Sequence, residues 1–245
     1  MSTLRVAIIG RGKMGRAVQQ VVDASGANVV AVLGRDTRID SETLRGADVA
    51  IEFTEPQSAA ANVKACVDAG CPVVVGTTGW YDQLGPVTEY VKEHDGAVLW
   101  SANFSLGVYV LTQLVRSAGA LFAALPGFDA HFDAHIVETH HSAKKDAPSG
   151  TALLLQQVIE STLPRSVPVT SVRVGSVPGT HELVLDGTYE QIVISHEARD
   201  RRVFAEGALI AARWLVGHRG VFTLSDVLGS TEPGKERNED CNNDG

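Results

Sequence analysis

The chain has 245 residues, 44% of them hydrophobic, and a formal net charge of −8. This composition supports a packed core in one large domain or two small ones, and it excludes the basic surface that a general nucleic-acid binder needs. The apolar runs fall short of the roughly 18 residues of a membrane span, so no membrane association is expected.

The cysteines and the first residues indicate a reducing compartment. Cys66, Cys71 and Cys241 have no metal-ligand spacing, which is typical of unpaired thiols. The start, MSTLRVAIIG, lacks a charged region before a long apolar stretch, and it predicts a first strand rather than a signal peptide. The expected location is the cytoplasm.

Strands and helices alternate through the first hundred residues. Short β-branched runs predict strands, and apolar positions at helical spacing predict the helices between them. The predicted strands are 5–10, 28–34, 48–54, 72–79 with its terminal turn, and 97–105 with its following loop; the helices are 13–25, 56–70 and 82–94. This alternation predicts parallel βαβ units with helices on both faces of one sheet.

A different pattern follows. The elements predicted there are a helix at 105–125, a strand at 130–137, a helix from about 149, strands at 169–176, 181–187 and 190–198, and a helix at 201–218. Alternation in the first of these strands places Phe132, Ala134 and Ile136 on one face. The predicted fold class is α/β, with a Rossmann-like parallel-sheet dinucleotide-binding domain and a second α+β domain of open mixed sheet. The polar tail, 229–245, is expected to be flexible.

The first strand–helix junction contains the pattern Gly10-x-Gly12-x-x-Gly15. In a dinucleotide fold the first glycine permits the tight turn, the second lets the backbone approach pyrophosphate, and the third lets helix and strand pack closely. The helix N-terminus adds free N–H groups. We predict cofactor contacts from the whole loop: Gly10, Arg11, Gly12, Lys13, Met14 and Gly15. The alternative is a turn with a purely structural role.

The end of the second predicted strand bears on the choice of cofactor. An acidic residue there usually accepts a hydrogen bond from the ribose 2′-OH of NAD. This chain has Gly34, then Arg35 and Asp36. Arg35 is able to pair with a 2′-phosphate, which favours NADPH, whereas Asp36 keeps NADH open. The alternative for Arg35 is a solvated loop charge.

Two later loops follow strands of the same predicted sheet. Ligands of open parallel sheets lie outside the carboxyl ends of the strands. We therefore predict that these loops hold the nicotinamide ribose and carboxamide, through Gly76, Thr77, Thr78, Ser101, Ala102, Asn103 and Phe104. The alternative for each loop is an ordinary turn.

The stretch VETHHSAKKDAPSGTALLL, Val137–Leu155, concentrates proton-carrying groups before a helix start. We predict that the strand ends at Val137, that 138–146 form a loop, and that Ala147-Pro148-Ser149 begin a helix. The unpaired N–H groups of Ser149, Gly150 and Thr151 then suit a carboxylate. Three proton carriers precede them: His140, His141 and Lys144. Proton donors beside a hydride donor indicate a reductase.

Two alternatives exist for this stretch. One is half of a metal site, although only Asp146 lies near the two histidines and no third ligand has metal spacing. The other is a purely structural role for the histidines. The remaining histidines are individually uninformative and are expected at the surface or in the core: His94, His131, His135, His181, His196 and His218.

The string His-His-x-x-Lys-x-Asp-Ala-Pro-Ser-Gly-Thr-Ala, from His140 to Ala152, resembles the signature of the dihydrodipicolinate reductase (4-hydroxy-tetrahydrodipicolinate reductase) family. GRGKMG, GTTG and ANFS stand where that family has its cofactor loops, and the likeness spans roughly 5–228. The resemblance implies that His140 is a proton donor or acceptor and Lys144 a proton donor. It implies substrate contacts from His141, Gly150 and Thr151.

The resemblance also implies a reaction. The family reduces a cyclic dicarboxylate, 4-hydroxy-tetrahydrodipicolinate, to tetrahydrodipicolinate and water in lysine and diaminopimelate biosynthesis. It uses NADPH or NADH, needs no metal, and forms tetramers largely through the second-domain sheets. Hydride is expected at C4 of the ring, with protonation at the neighbouring carbon. One departure is Gly34, where many members have an acid; it puts a strong NADH preference in doubt.

The resemblance further implies that the end of the chain packs back on the first domain. The expected division is 1–103 with 205–245 for the cofactor, and 104–204 for substrate and oligomerisation. Closure of the second domain is expected to bring Lys144 to the nicotinamide. Two rival hypotheses are another dehydrogenase of an amino or imino dicarboxylate, such as aspartate, and a non-catalytic dinucleotide sensor.

Overall fold

A computed structural model describes residues 3–127 and 131–229. Cys241 and almost all of the tail predicted to be flexible lie outside the described residues. Cys66 and Cys71 are buried free thiols, and burial raises the pKa of Cys71 to about 12. Both cysteines therefore pack in the core as small apolar side chains.

The first hundred residues alternate as predicted. Their elements are β1 (Arg5–Ile9), α1 (Lys13–Ala24), β2 (Asn28–Leu33), β3 (Val49–Glu52), α2 (Pro56–Asp68), β4 (Val73–Val75), a 3₁₀ turn (Tyr81–Gln83), α3 (Leu84–Glu93) and β5 (Ala97–Trp100). The second part contains α4 (Leu106–Ala123), β6 (Phe132–His140), α5 (Gly150–Glu160), β7 (Val169–Arg173), β8 (Thr180–Gly187), β9 (Gln191–Glu197), α6 (Arg202–Leu215), β10 (Gly220–Thr223) and α7 (Leu224–Leu228).

One sheet has six parallel strands in the order β10-β5-β4-β3-β1-β2. Alternate residues of β1 face opposite sides. Val6 and Ile8 pack with α1 and α6, whereas Ala7 and Ile9 pack with α2 and α3. A parallel sheet covered on both faces is the arrangement that the βαβ pattern predicts. The Rossmann-like prediction is therefore confirmed.

The second sheet is mixed, in the order β7-β6-β8-β9. β6 pairs parallel with β7 and antiparallel with β8, and β8 pairs antiparallel with β9. Its buried face packs on α4 and α5 through residues such as Ala134, Ile136 and Leu183. The predicted second domain of mixed sheet is confirmed.

Two predicted boundaries were wrong. β6 does not end at Val137 but continues to His140, because β7 and β8 pair with it that far. The next helix begins at Gly150, with Ser149 as its N-cap, so Pro148 precedes the helix instead of opening it. The predicted helix 201–218 ends at Leu215, and β10, which no predicted element covers, adds a sixth strand beside β5.

The buried face of helix α6 is made largely of small residues, which lets the helix pack closely against the end of the loop 101–104. A Cβ at Gly207 would lie 1.7 Å from the carbonyl oxygen of Phe104, so only glycine permits this approach. The Phe104 side chain is 2% exposed and packs in the same core. The end of the loop 101–104 is therefore held by helix packing.

The helix α4 is long and apolar enough to meet the length and composition of a membrane span. One of its faces packs in the second core through Leu111, Val115 and Phe122. Core helices of this kind pass the same test, so the finding is weak evidence for a span.

Candidate active site

The glycine loop between β1 and α1 shows three different reasons for its glycines. Gly10 has φ +118°, and a Cβ there would lie 2.1 Å from the carbonyl oxygen of Phe53. A Cβ at Gly15 would lie 1.9 Å from the carbonyl oxygen of Gly10. Gly12, the N-cap of α1, has open space around it. Backbone geometry thus requires the outer two glycines, whereas the middle one leaves room for a phosphate.

A cavity of about 470 Å³ opens beside this loop. It contains four of the predicted cofactor residues, which are Gly10, Arg11, Gly12 and Arg35. Its other lining residues include Gly34, Asp36, Thr37, Phe53, Thr54 and Glu55. The other predicted cofactor residues do not line this cavity; they belong to α1 or to the loops after β4 and β5. The cavity fits the adenosine and phosphate end of a dinucleotide.

The loops after β4 and β5 extend from this cavity towards the second sheet. Thr77 Oγ1 accepts a hydrogen bond of 2.7 Å from the backbone N–H of Thr54, which ties the β4 loop to the β3 loop. Asn103 Oδ1 accepts a bond of 2.8 Å from the Ser105 N–H. Asn103 Nδ2 donates at 3.1 Å to Thr151 Oγ1. The last bond joins a predicted cofactor loop to the predicted substrate helix.

Beyond Thr151, a buried ion cluster extends into the second sheet. Strand β6 alternates, so Glu138 and His140 continue the buried face of Ala134 and Ile136. Glu138 is fully buried and contacts His140 Nδ1. Arg173, on β7, donates from Nη2 to Glu138 Oε1 at 2.6 Å and from Nη1 to Oε2 at 3.0 Å. The positive charge of Arg173 and its bidentate hydrogen bonds offset the cost of burying this carboxylate.

The cluster sets the charge of each member. Burial alone would raise the pKa of Glu138, but hydrogen bonds from Arg173, Ser171 and His140 hold it at about 2. Burial lowers the pKa of His140, and contact with Glu138 only partly opposes it. His140 is therefore mainly neutral near pH 7. Because Nδ1 faces Glu138, the free ring nitrogen Nε2 is assigned as the acceptor.

The loop after β6 holds Lys144 beside this histidine. Lys144 Nζ lies 2.8 Å from both carboxylate oxygens of Asp146. Arg173 Nη2 donates at 2.7 Å to the Asp146 carbonyl oxygen, which connects this loop to the buried cluster. The positive charge of Lys144 contributes to lowering the pKa of His140. The structure thus places Lys144 near His140. His141, which lies between them in the sequence, is half-buried.

The N-terminus of α5 offers two donors rather than the three that were predicted. The Ser149 N–H is not free, because it donates at 3.3 Å to Glu138 Oε1. Its side chain is buried and accepts from the Ala152 N–H at 3.2 Å as the helix cap. Within residues 3–127 and 131–229, the N–H groups of Gly150 and Thr151 have no hydrogen-bond partner. A Cβ at Gly150 would meet no atom within 4 Å, so space lies open before these donors.

Sequence reasoning missed His181, which adjoins the same cluster. It lies opposite Glu138 in the β6–β8 register and is 4% exposed. Its ring meets that of His140 edge to face at 5.1 Å, and its Nε2 lies 3.1 Å from Ser149 Oγ. Burial and the nearby positive charges lower the pKa of His181 to about 4. Its alternation with Leu183 on the buried face was the available signal.

This buried neutral histidine predicts an acid-sensitive contribution to stability. Between pH 6.5 and about 4 the unfolded chain protonates at this position and the folded chain does not. The unfolding free energy should therefore be highest above pH 6.5 and fall by about 3 kcal/mol as pH drops to 4. We expect His181→Gln to flatten this part of the curve, measured by urea unfolding at each pH. Exposed His94→Gln is the control and should follow the wild type; equal curves for all three proteins would contradict the prediction.

The described residues contain no group of three or more His, Cys, Asp or Glu side chains arranged to hold a metal ion. His140, the last residue of β6, is bound to Glu138 through Nδ1. Lys144 is held by its ion pair with Asp146.

Comparison with family models covers nearly all of the chain. Residues 4–104 match the model described as dihydrodipicolinate reductase, N-terminus, and residues 107–228 match dihydrodipicolinate reductase, C-terminus. A 4-hydroxy-tetrahydrodipicolinate reductase from Christiangramia forsetii is 34% identical over 92% of this chain and 98% of its own length. One from Bdellovibrio bacteriovorus is 34% identical over 93% of this chain and 97% of its own.

Solved structures show the same fold at lower identity. A dipicolinate-bound dihydrodipicolinate reductase from Paenisporosarcina sp. TG-14 has a TM-score of 0.72 at 22% identity, covering 91% of this chain and 98% of its own. An amine dehydrogenase from Mycobacterium smegmatis has a TM-score of 0.61 at 9% identity, covering 91% and 95%. These two likenesses establish the fold alone.

Proposed function

This chain belongs to the dihydrodipicolinate reductase family, and from that membership we infer that it reduces 4-hydroxy-tetrahydrodipicolinate to tetrahydrodipicolinate and water with NADPH or NADH. This is a step of lysine and diaminopimelate biosynthesis. A dehydrogenase of another amino or imino dicarboxylate is not favoured, because the relatives at 34% identity are reductases by name. A non-catalytic sensor is equally disfavoured.

One contact supports the placement of the reaction, the hydrogen bond from Asn103 to Thr151. Asn103 belongs to a loop at the carboxyl edge of the parallel sheet, where a nicotinamide lies in this fold. Thr151 belongs to the helix start that presents free N–H groups. A dicarboxylate held at that helix start therefore lies against the cofactor loop, in reach of hydride transfer.

The glycine loop and its cavity fit a dinucleotide, since Gly12 leaves open space at the N-terminus of α1. A nicotinamide held there would supply a hydride to C4 of the ring once the 4-hydroxyl has left as water. The residues proposed to hold the cofactor are those of the glycine loop, Arg35, and the loops 76–78 and 101–104. Phe104 contributes through its backbone, because its side chain is buried in the core.

The substrate carboxylates are proposed to bind in two places. One accepts hydrogen bonds from the N–H groups of Gly150 and Thr151, where the helix dipole favours an anion. The other is proposed to lie by Lys144 and His141, which belong to the segment between β6 and that helix. Lys144 has three donors and uses two on Asp146, so one remains for a ligand. Ser149 takes part as the cap that fixes this helix start.

The protonation step assigns different roles to the two proton carriers. Neutral His140 has its Nδ1 committed to Glu138 and is left with an acceptor nitrogen. Lys144 is the cation beside it, so its ammonium is the group able to protonate the carbon next to C4. His140 orients the substrate through this acceptor nitrogen, and Lys144, left neutral by the transfer, regains its proton from solvent. Both groups touch the substrate in this proposal and are catalytic residues.

The division of the chain follows from the same proposal. Of the described residues, 3–103 and 205–229 are proposed to form the cofactor unit, and 104–127 with 131–204 the unit for substrate binding and assembly, which closes over the cofactor. The outer face of the mixed sheet supports assembly, because Val172 is 38% exposed and Val193 48% exposed. We place the protein in the cytoplasm as a homotetramer, without nucleic-acid or membrane partners.

The test is an assay that makes the unstable substrate in place. The preceding synthase, pyruvate and aspartate semialdehyde generate it, and loss of nicotinamide absorbance reports turnover with NADPH and NADH in parallel. Oxidation that requires the synthase is the expected result. Folded protein that binds a cofactor but gives no oxidation would overturn the proposal, and turnover on aspartate instead would favour the rival dehydrogenase.

A further inference from the structure

Arg35, the residue predicted to receive a 2′-phosphate, already has an anionic partner. Its guanidinium forms an ion pair with the carboxylate of Glu55, and both residues line the same cavity. Both side chains are well exposed, 75% for Arg35 and 58% for Glu55, so solvent screens the pair and a ligand can reach it. The cavity therefore contains a carboxylate at the position where a 2′-phosphate would approach Arg35.

The conformation of Glu55 shows that its side chain is not used by its own helix. Glu55 is the N-cap of α2, a position where the shorter side chains of Asp, Asn or Ser commonly accept from the first free N–H groups. Here the side chain makes no capping hydrogen bond. It accepts a hydrogen bond from Arg35 instead. Its orientation is therefore not explained by helix capping.

The usual place for a ribose-binding acid is taken by Gly34, beside the side chain of Arg11. A Cβ at Gly34 would lie 3.3 Å from Cδ and Nε of Arg11, tighter than ordinary packing. The Arg11 guanidinium occupies that space and donates at 3.0 Å to the Val32 carbonyl oxygen. Because Gly34 has no side chain, a carboxylate for the ribose has to come from another residue of this cavity.

From these three observations, and given the proposed function, we propose that Glu55 is the cofactor-specificity residue of this chain. Its carboxylate accepts hydrogen bonds from the 2′-OH of the adenosine ribose of NADH. It disfavours NADPH in two ways, because it repels the 2′-phosphate and competes with that phosphate for Arg35. Arg35 thus serves mainly to position Glu55, and the preference shifts towards NADH despite the arginine.

The experiment measures equilibrium binding of NADH and of NADPH separately, by nicotinamide fluorescence and without any dicarboxylate. Glu55→Gln keeps the shape of the side chain and removes its charge. We expect the Kd for NADPH to fall and the Kd for NADH to rise, so that their ratio changes about tenfold. In an Arg35→Gln background the NADPH part of this change should largely disappear, because the competition is gone.

Two control variants separate this role from general charge. Asp36→Asn removes another carboxylate of the same cavity, and Glu89→Gln removes an exposed carboxylate on α3. Each should change the ratio less than twofold. A ratio that is unchanged in Glu55→Gln, or changed equally by Asp36→Asn, would overturn the role of Glu55 and leave the proposed function standing. Failure of the wild type to bind either cofactor would instead overturn the proposed function itself.

Discussion

Replacing Lys144 with alanine is expected to lower kcat by about 10²- to 10⁴-fold, the usual contribution of a positioned proton donor. The ammonium of Lys144 is held by both oxygens of Asp146, so its position is defined before substrate binds. The cofactor cavity does not include this residue. The Kd for NADH or NADPH should therefore change less than twofold. Steady-state kinetics with substrate made in place, together with fluorescence titration of the cofactor, measures both quantities.

The neighbouring Lys145→Ala variant is the matched control. Lys145 has the same charge, lies in the same loop and is exposed. It should retain turnover close to that of the wild type. Normal turnover in Lys144→Ala would remove Lys144 from the mechanism, and equal losses in both variants would indicate a general effect of loop charge.

Replacing Glu138 with glutamine is expected to cause the largest loss of stability, about 3 kcal/mol. The substitution preserves shape but leaves Arg173 and His140 without their buried anion. Removing only the anion of such a pair leaves the positive charge of Arg173 without a partner, in a place where it has already lost hydration. Urea unfolding at neutral pH measures the loss. In the wild type this contribution is fully present above the ordinary pKa of 4.5 and is lost as pH falls towards about 2.

Two further variants test whether the loss of stability comes from the ion cluster or from any change of charge on the strands. Glu182→Gln alters a half-buried carboxylate on β8 that accepts only from Ser195 Oγ among the bonds of the described residues, at 3.1 Å. It should change stability by less than about 0.5 kcal/mol. The double variant Glu138→Gln with Arg173→Gln should recover part of the loss, because no charge is then stranded. Equal stability of Glu138→Gln and Glu182→Gln would show that the buried ion pair contributes little.

The Glu138→Gln substitution should also act on catalysis, through the pKa of His140. The Glu138 carboxylate raises the pKa of His140 by its hydrogen bond and its charge, against the effect of burial. Without it the histidine should titrate at still lower pH. The acid limb of the kcat/KM profile is the readout, and a profile identical to that of the wild type would indicate that His140 does not titrate in turnover.

Local patterns were enough to predict the cofactor part of the molecule. Gly10, Gly12 and Gly15 lie within one strand–turn–helix unit, so their spacing alone determines the backbone that they can form. The alternation of Ala134 and Ile136 likewise predicted the buried face of β6. The string from His140 to Ala152 indicated the family, which the comparisons confirmed. Its residue roles remain predictions.

The residues of β6 alone did not predict where this strand ends. Glu138 and His140 are polar, and a strand that buries them becomes stable only because Arg173 on β7 and the pairing with β8 satisfy them. A local pattern assigns polar residues to a loop, since it contains no information about distant partners. The predicted end at Val137 failed for this reason.

By itself, the sequence of this protein determined the alternating fold, the glycine loop and the family, because each depends on residues near one another in the chain. Only the tertiary structure decided which side chains meet. Arg173 lies 35 residues from Glu138, and Glu55 lies 20 from Arg35. Such pairs form when sheet register and strand order bring separate segments together, and neither is encoded in local spacing. The charge state of the site and the proposed cofactor preference both depend on those long-range pairs.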